Sequence, residues 1–206
     1  MQDIIRTVYG SDKEIIESIL KLYVKSDRFN LDPTFSLGKF YKGLNEPTIK
    51  GDLYPQRKDV LKMDSNSLEI PDSSIFSICF DPPFLAGYTT GKTSGIIGTR
   101  FEGFRYMKDV WEFYDNSLSE FYRVLKPAGV LAFKCQDTVS SGKQFFSHCH
   151  IMSEANKLGF RTEDLFVQVA KNRIIGHNHK IQKHARKFHS YWLVFIKTSS
   201  PPKTNR

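Results

Sequence analysis

Ile75-Phe-Ser-Ile-Cys-Phe80 runs straight into Asp81-Pro82-Pro83-Phe84. The first six residues form a short apolar run and read as a buried strand. The four that follow sit at its carboxyl end. The Asp81 carboxylate and the Pro82 carbonyl are both hydrogen-bond acceptors. Two prolines fix φ and supply no backbone donor, so those acceptors are held rigid. The Phe84 ring offers a face on which a base can stack. Together they suit a planar exocyclic amino group. The plainer alternative is a proline-rich turn with Phe84 in the core.

Upstream, Arg28–Asp32, Lys50–Leu53 and Asp59–Met63 also read as short strands. An aspartate stands at the end of each, Asp32, Asp52 and Asp64, as Asp81 does after the fourth. In open α/β sheets ligands bind outside the carboxyl ends of the strands. Asp52 follows Asp32 at the spacing that lets an acidic side chain hold ribose hydroxyls, and Asp64-Ser65 can meet an adenine amino group. A single aspartate at a strand end is usually a turn former. The loop Asp32-Pro-Thr-Phe-Ser-Leu-Gly-Lys-Phe40 contains one glycine, Gly38. It therefore lacks the Gly-x-Gly-x-x-Gly cradle for a pyrophosphate, and no P-loop sequence occurs, which argues against NAD and nucleoside triphosphates. A nucleoside without phosphates remains.

Downstream, Tyr106–Val124 shows helical spacing, and Lys126-Pro-Ala-Gly129 stops it. Val130–Phe133 reads as a fifth strand, about Lys143–Leu158 as a helix, and Leu165–Val169 and Tyr191–Ile196 as the last strands. Near the amino terminus, Asp12–Val24 is helical, with Ser11 or Asp12 as N-cap. Strands alternating with helices or loops, with a strand pair last, indicate a mostly parallel sheet.

The chain has 206 residues, 40% of them hydrophobic and 25% charged, enough for one α/β domain with a full core. No stretch of 18 apolar residues suggests a membrane span, and Met1–Thr7 does not resemble a secretory signal. Cys79, Cys135 and Cys149 are odd in number and suit reduced thiols in the cytoplasm. The net charge of +8 is uneven. Lys171 to Arg206 carries nine Lys/Arg and no Asp or Glu, which leaves 21 basic and 22 acidic side chains elsewhere. The basic character belongs to one segment that also holds aromatic residues, which points to nucleic acid over a merely solvated tail.

These residues resemble class I S-adenosylmethionine-dependent methyltransferases that modify exocyclic amino groups of nucleic-acid bases. The family's (Asp/Asn/Ser)-Pro-Pro-(Tyr/Phe/Trp) motif is matched by Asp81-Pro82-Pro83-Phe84. Its acidic residues after the second and third strands are matched by Asp52 and Asp64. Its Leu-Lys-Pro-Gly-Gly strand entry is matched by Leu125-Lys-Pro-Ala-Gly-Val-Leu-Ala-Phe-Lys134. Lys134-Cys-Gln-Asp137 and Gln182–Ser190 resemble stretches of small phage- and prophage-type DNA methyltransferases. In place of the family's Asp/Glu-x-Phe-x-Gly-x-Gly stands Asp32-Pro-Thr-Phe-Ser-Leu-Gly38.

The resemblance implies a single Rossmann-like α/β domain over residues 1–198. Its expected sheet is seven-stranded, mostly parallel, with an antiparallel C-terminal strand. An N-terminal helical segment (1–27), a Gly-rich loop (85–105) and a basic loop (171–190) belong to it, and 199–206 is a flexible tail. S-adenosylmethionine is the implied cofactor, held by Asp32, Pro33, Thr34, Phe35, Ser36, Gly38, Asp52, Leu53, Asp64 and Ser65. Asp81, Pro82, Pro83 and Phe84 form the implied catalytic motif. It acts by direct in-line transfer to a base flipped out of DNA.

The Asp-first motif leans to adenine N6. Cytosine N4, an RNA substrate and a catalytically silent nucleic-acid-binding subunit are the alternatives. The expected nucleic-acid contacts are Lys92, Arg100, Arg105, Lys134, Arg173, Lys180, Lys183, His184, Arg186 and Lys187. Cys135 reads as structural, and the histidines fit no closed metal site. With little room for a separate target-recognition domain, the loop Ala86–Gly103, a homodimer or a partner subunit is expected to read the target. The expected setting is the cytoplasm of a bacterial or phage-infected cell, in a restriction-modification context.

Overall fold

The computed structural model of the chain describes residues 4–86, 104–170 and 183–199. β1 (Val8–Tyr9) leads into α1 (Asp12–Ile19), which continues as a wider turn over Leu20–Val24. Ser11 caps α1 by accepting the Glu14 N–H at 3.4 Å. β2 (Leu31–Asp32), β3 (Ile49–Asp52) and β4 (Leu61–Lys62) are short, and among the described residues no α-helix joins them. β5 (Ile75–Phe80), α2 (Met107–Val124) and β6 (Leu125–Cys135) follow. The hairpin β7 (Thr138–Ser140) and β8 (Lys143–Phe145) precedes α3 (Ser147–Leu158), β9 (Phe160–Val169) and β10 (His189–Lys197).

The main sheet runs β1-β9-β10-β6-β5-β2-β3-β4. β2, β3, β4, β5 and β6 pair in parallel, and β10 is antiparallel to β6 and β9 on either side. This is the expected Rossmann-like α/β arrangement, with eight strands among the described residues where the sequence suggests seven. The eighth is β1, whose two residues pair in parallel with Val167 and Gln168. Two residues are too few to show a strand period, so the segment reads as part of a helical lead.

Side chains alternate across the sheet and build a core on each face. Ile78, Phe80, Leu131, Phe133, Leu193 and Phe195 pack toward α2 and α3. Phe80 is the centre of that layer, edge-on to Phe121 at 4.7 Å and to Phe133 at 4.9 Å. Cys79, Val130, Ala132, Trp192 and Val194 pack toward α1. Each large apolar side chain so buried contributes about 1.5–3 kcal/mol.

Several boundaries differ from the sequence reading: β9 begins at Phe160, five residues before the expected Leu165, and two further differences change the type of element. β6 begins at Leu125, with Ala128 in the left-handed region at φ 62°, so the Lys-Pro-Ala-Gly element is an irregular strand entry rather than a connecting turn. Lys143–Phe145 is strand, not helix. Ser141 and Gly142, at φ 49° and 74°, make a tight turn that pairs Ser140 with Lys143. Two consecutive positive φ values suit a two-residue hairpin, and α3 starts only at Ser147.

Candidate active site

Register brings Asp81 to the carboxyl edge of the sheet. Phe80 pairs with Phe133 and Lys134 pairs with Trp192, so Asp81, Lys134 and Trp192 lie at one level across β5, β6 and β10. Tyr191 pairs with Cys135, so the segment 183–188 that feeds β10 emerges at this same edge. Pro82 is buried, and Pro83 and Phe84 are half-buried. The Tyr114 hydroxyl, on the wholly buried face of α2, donates to the Pro83 carbonyl at 3.0 Å and fixes the turn.

Asp81 keeps a quarter of its side chain exposed, yet its Oδ1 is sealed from solvent and has no hydrogen-bond partner among the described residues. A buried acceptor left open in this way costs roughly 1–3 kcal/mol unless something fills it. Burial, helped by the charge of Asp12 and opposed by Lys134, pushes the carboxyl up to about 6.

The loop after β2 is built around a different carboxylate. Asp32 is 2% exposed. Its Oδ1 accepts the Thr34 N–H at 2.8 Å and the Thr34 hydroxyl at 3.0 Å, and its Oδ2 accepts the Tyr41 hydroxyl at 2.8 Å. Burial pushes this carboxyl up to about 7, against those three bonds. Thr34 Oγ1 in turn accepts the Asp81 N–H at 2.9 Å. Asp32 therefore shapes the loop and holds the Asp81 turn, and its oxygens are spent inside the protein. Phe35 is likewise core: it is 3% exposed and stacks on Tyr41 at 5.6 Å.

Gly38, at φ 67°, lies against that ring, and a Cβ there would come within 2.4 Å of Phe35 Cζ. Asp32, Phe35 and Gly38, of which direct cofactor contacts are expected, are not among the residues that line the cleft described next. Ser36 adopts φ 55°, a left-handed backbone conformation that more often takes glycine. Its N–H donates to Asp52 Oδ2 at 2.9 Å.

A cleft opens beside this loop, lined by Pro33, Thr34, Asp52, Leu53, Tyr54, Met63, Asp64, Ser65, Pro83, Phe104 and Phe113. Asp52 is anchored at both oxygens, by Ser36 N–H and by Tyr54 N–H at 2.8 Å. Asp64 is exposed and accepts the Asn66 N–H at 2.9 Å. The buried Ser65 hydroxyl faces Ser117 at 3.1 Å, so its hydroxyl is engaged with α2. The largely apolar walls, with Asp52 and Asp64 at the strand ends, suit a nucleoside.

Of the basic residues expected at nucleic acid, Lys92, Arg100, Arg173 and Lys180 lie outside the described residues. Arg105, Lys183, His184 and Arg186 are exposed, and Lys187 is half-exposed. His184 Nε2 lies 3.1 Å from the Gly142 carbonyl, which ties the segment to the β7–β8 hairpin.

Lys134 is corrected by the structure. It is 7% exposed and points to the α1 face, where its Nζ lies 3.0 Å from Asp12 Oδ1 and 3.8 Å from Asp81 Oδ1. Burial works to lower its pKa, but Asp81 and Asp12 outweigh this and the ammonium is held above its ordinary value. It is thus not available to a phosphate. The Trp192 indole N–H donates to the same Asp12 Oδ1 at 2.8 Å. Asp12, Tyr41, Tyr114 and Trp192 were not singled out by sequence as parts of this site. The one local signal was a lysine closing an otherwise apolar strand.

No protein-family model matches the chain, and no curated protein matches it. Solved structures do. The [4+2]-cyclase SpnF aligns over 90% of this chain and 81% of its own, at 14% identity and a TM-score of 0.54. A Thermus thermophilus protein assigned as a DNA modification methylase, complexed with S-adenosyl-L-methionine, aligns over 70% of this chain at 19% identity and a TM-score of 0.45. The PvuII cytosine-N4-specific DNA methyltransferase aligns over 67% at 16% identity and a TM-score of 0.49. The chain spans 55% of the Thermus protein and 48% of the PvuII enzyme. At these identities the likeness is one of fold, and the presence of a cyclase among these structures means that the fold alone does not name the reaction.

Proposed function

We propose that this chain transfers a methyl group from S-adenosylmethionine to an exocyclic amino group of a nucleic-acid base, adenine N6 in DNA first. The observation that carries the proposal is the Asp81 carboxylate on its proline-fixed turn at the carboxyl edge of the sheet, with Oδ1 sealed beside Lys134 and a quarter of the side chain left exposed, next to a cleft that Pro83 also lines.

Asp52, Leu53, Asp64 and Ser65 would hold the nucleoside end of the cofactor, with Pro33 and Thr34 beside it. The bound cofactor supplies an electrophilic methyl on its sulfonium. The protein's part is positioning. An amino nitrogen conjugated to a base ring is a weak nucleophile. A hydrogen bond from that NH2 to the exposed oxygen of the Asp81 carboxylate, and a second to the Pro82 carbonyl, draws the lone pair out of the ring and aims it. The prolines, the Tyr114–Pro83 bond and the Thr34–Asp81 bond keep the acceptors still, which is where the rate advantage of orientation arises. A base inside a duplex must first leave the stack, and the half-buried Phe84 ring offers it a new one. Arg105, Lys183, His184, Arg186 and Lys187 would meet the phosphates, and Lys92, Arg100, Arg173 and Lys180 are proposed for the same role from the sequence.

Cytosine N4 is the alternative base and RNA the alternative polymer; a homodimer or a partner subunit would supply target recognition. The site sits in one domain over residues 1–198, acting in the cytoplasm. Among the described residues no helix is long and apolar enough to cross a membrane.

The test is to incubate the protein with tritiated S-adenosylmethionine and unmethylated duplex DNA, then digest to nucleosides. Label in N6-methyladenosine that disappears with Asp81→Ala supports the proposal. Label in N4-methylcytosine keeps the chemistry and changes the base. No label and no cofactor binding by calorimetry overturns it.

A further inference from the structure

Asp81 does not face its surroundings evenly. Asp32 from the β2 end, Asp12 from α1, Cys79 from β5, Tyr114 from α2 and Lys134 from β6 are the ionisable groups, among the described residues, turned toward it. Burial pushes the Cys79 thiol and the Tyr114 hydroxyl well above their ordinary values, so both stay protonated and neutral. Of the rest, two are carboxyl groups and only Lys134 is cationic. It occupies a strand position whose neighbours on the same face, Ala132, Val130 and Trp192, are apolar core. A lysine is rarely buried unless paired.

Its placement is specific. Asp12 Oδ1 holds Nζ at 3.0 Å and is itself held by the Trp192 N–H, while the rings of Phe40 and Trp192 lie 4.5 Å and 5.7 Å from the ammonium. The second carboxylate, Asp81 Oδ1, is left at 3.8 Å, beyond hydrogen-bond reach but inside strong Coulomb range. The ammonium thus acts on the sealed oxygen through charge and leaves the exposed part of the carboxylate open. No ammonium at all would let burial neutralise the carboxylate.

We infer that Asp12 and Lys134 are a positioning pair for Asp81: Lys134 supplies the charge that keeps the Asp81 carboxylate an anion, and Asp12 tethers that charge just short of capping Oδ1. The inference rests on the methyl-transfer reading for its purpose, though not for its test.

The experiment is a 13C NMR titration of the Asp81 carboxyl in the full chain, assigned by its loss in Asp81→Asn. Lys134→Met is expected to raise the Asp81 midpoint by about one pH unit or more, the size of effect a neighbouring opposite charge has. Asp12→Asn is expected to lower it, because a repelling carboxylate disappears and Lys134 is freed to close on Oδ1. Lys134→Arg, which keeps the charge, is expected to stay near the parent. A residue that merely packs would not move the midpoint in opposite directions. Midpoints that do not move, or that move the same way in Lys134→Met and Asp12→Asn, overturn the inference.

The same variants are then assayed for methyl transfer against pH. Lys134→Met is expected to shift the acid limb upward and recover activity at higher pH, whereas Asp12→Asn is expected to shift it downward. A uniform loss in Lys134→Met overturns the inference. A parent chain that transfers no methyl overturns the methyl-transfer reading instead, and the titration still judges the pair.

Discussion

The Thr34 hydroxyl accepts the backbone N–H of Asp81 at 2.9 Å, so the loop after β2 is bolted to the turn after β5 through one side-chain oxygen. The same hydroxyl donates to Asp32, so both of its hydrogen-bonding roles are used. Thr34→Val keeps the volume and removes both bonds. It is expected to destabilise the fold by about 1–3 kcal/mol, since a part-buried N–H and a buried carboxylate each lose a partner. Thr34→Ser should restore most of the loss. Thermal melts of the three proteins decide it.

Asp32 sets a pH dependence of stability. Its carboxyl is pushed from an ordinary value near 3.8 up to about 7 by burial. Between those values the folded chain holds a proton that the unfolded chain has released, so stability falls as pH rises through that window. Asp81, pushed up to about 6, adds to the same trend. Urea midpoints measured from pH 4 to pH 7 should decline less steeply in Asp32→Asn than in the parent.

Gly38→Ala is expected to be costly for two reasons at one position. The backbone sits at φ 67°, where a Cβ costs about 1–2 kcal/mol, and that Cβ would strike the Phe35 ring. Phe35→Leu in the same chain should relieve the collision and leave the backbone cost. The destabilisation of the double variant relative to Phe35→Leu alone is then expected to be smaller than that of Gly38→Ala in the parent, as read by a double-mutant cycle of melting temperatures.

Tyr114→Phe removes the hydroxyl that donates to the Pro83 carbonyl. The expected stability loss is small, about 1 kcal/mol, as for a single hydrogen bond. The methyl-transfer rate should drop with little change in cofactor affinity, because the turn is loosened while the cleft walls remain. Single-turnover rates beside calorimetric cofactor binding separate the two effects.

Lys183→Ala and Arg186→Ala remove exposed charges at the carboxyl edge. Each is expected to weaken DNA binding without regard to sequence and to reduce the slope of log affinity against log salt by about 0.9 for each phosphate no longer neutralised. Fluorescence anisotropy at several salt concentrations measures this directly.

The strand ends were readable because their signal is local: a short strand pattern followed by Asp52, Asp64 or Asp81 needs no distant information. The same is true of α2, whose apolar face is a continuous helical stripe. The hairpin at Ser141-Gly142 carried its own turn signal, overshadowed by the helical pattern that follows it. Lys134 could not be read in the same way. Its charge suggests an exposed contact, and only strand alternation together with a partner at Asp12, far away in the chain, turns it inward. Phe35 and Asp32 failed for a related reason. A motif fixes which residues stand in a loop, but Tyr41, a few residues on, decides that the ring and the carboxylate face the interior.

The bridge between Ala86 and Phe104 sets two backbone segments side by side at the rim of the cleft. The described chain therefore stops at Ala86 and resumes at Phe104, two neighbouring backbone positions. Such a junction makes Ala86 and Phe104 a natural splice point, since both lie outside β5 and α2.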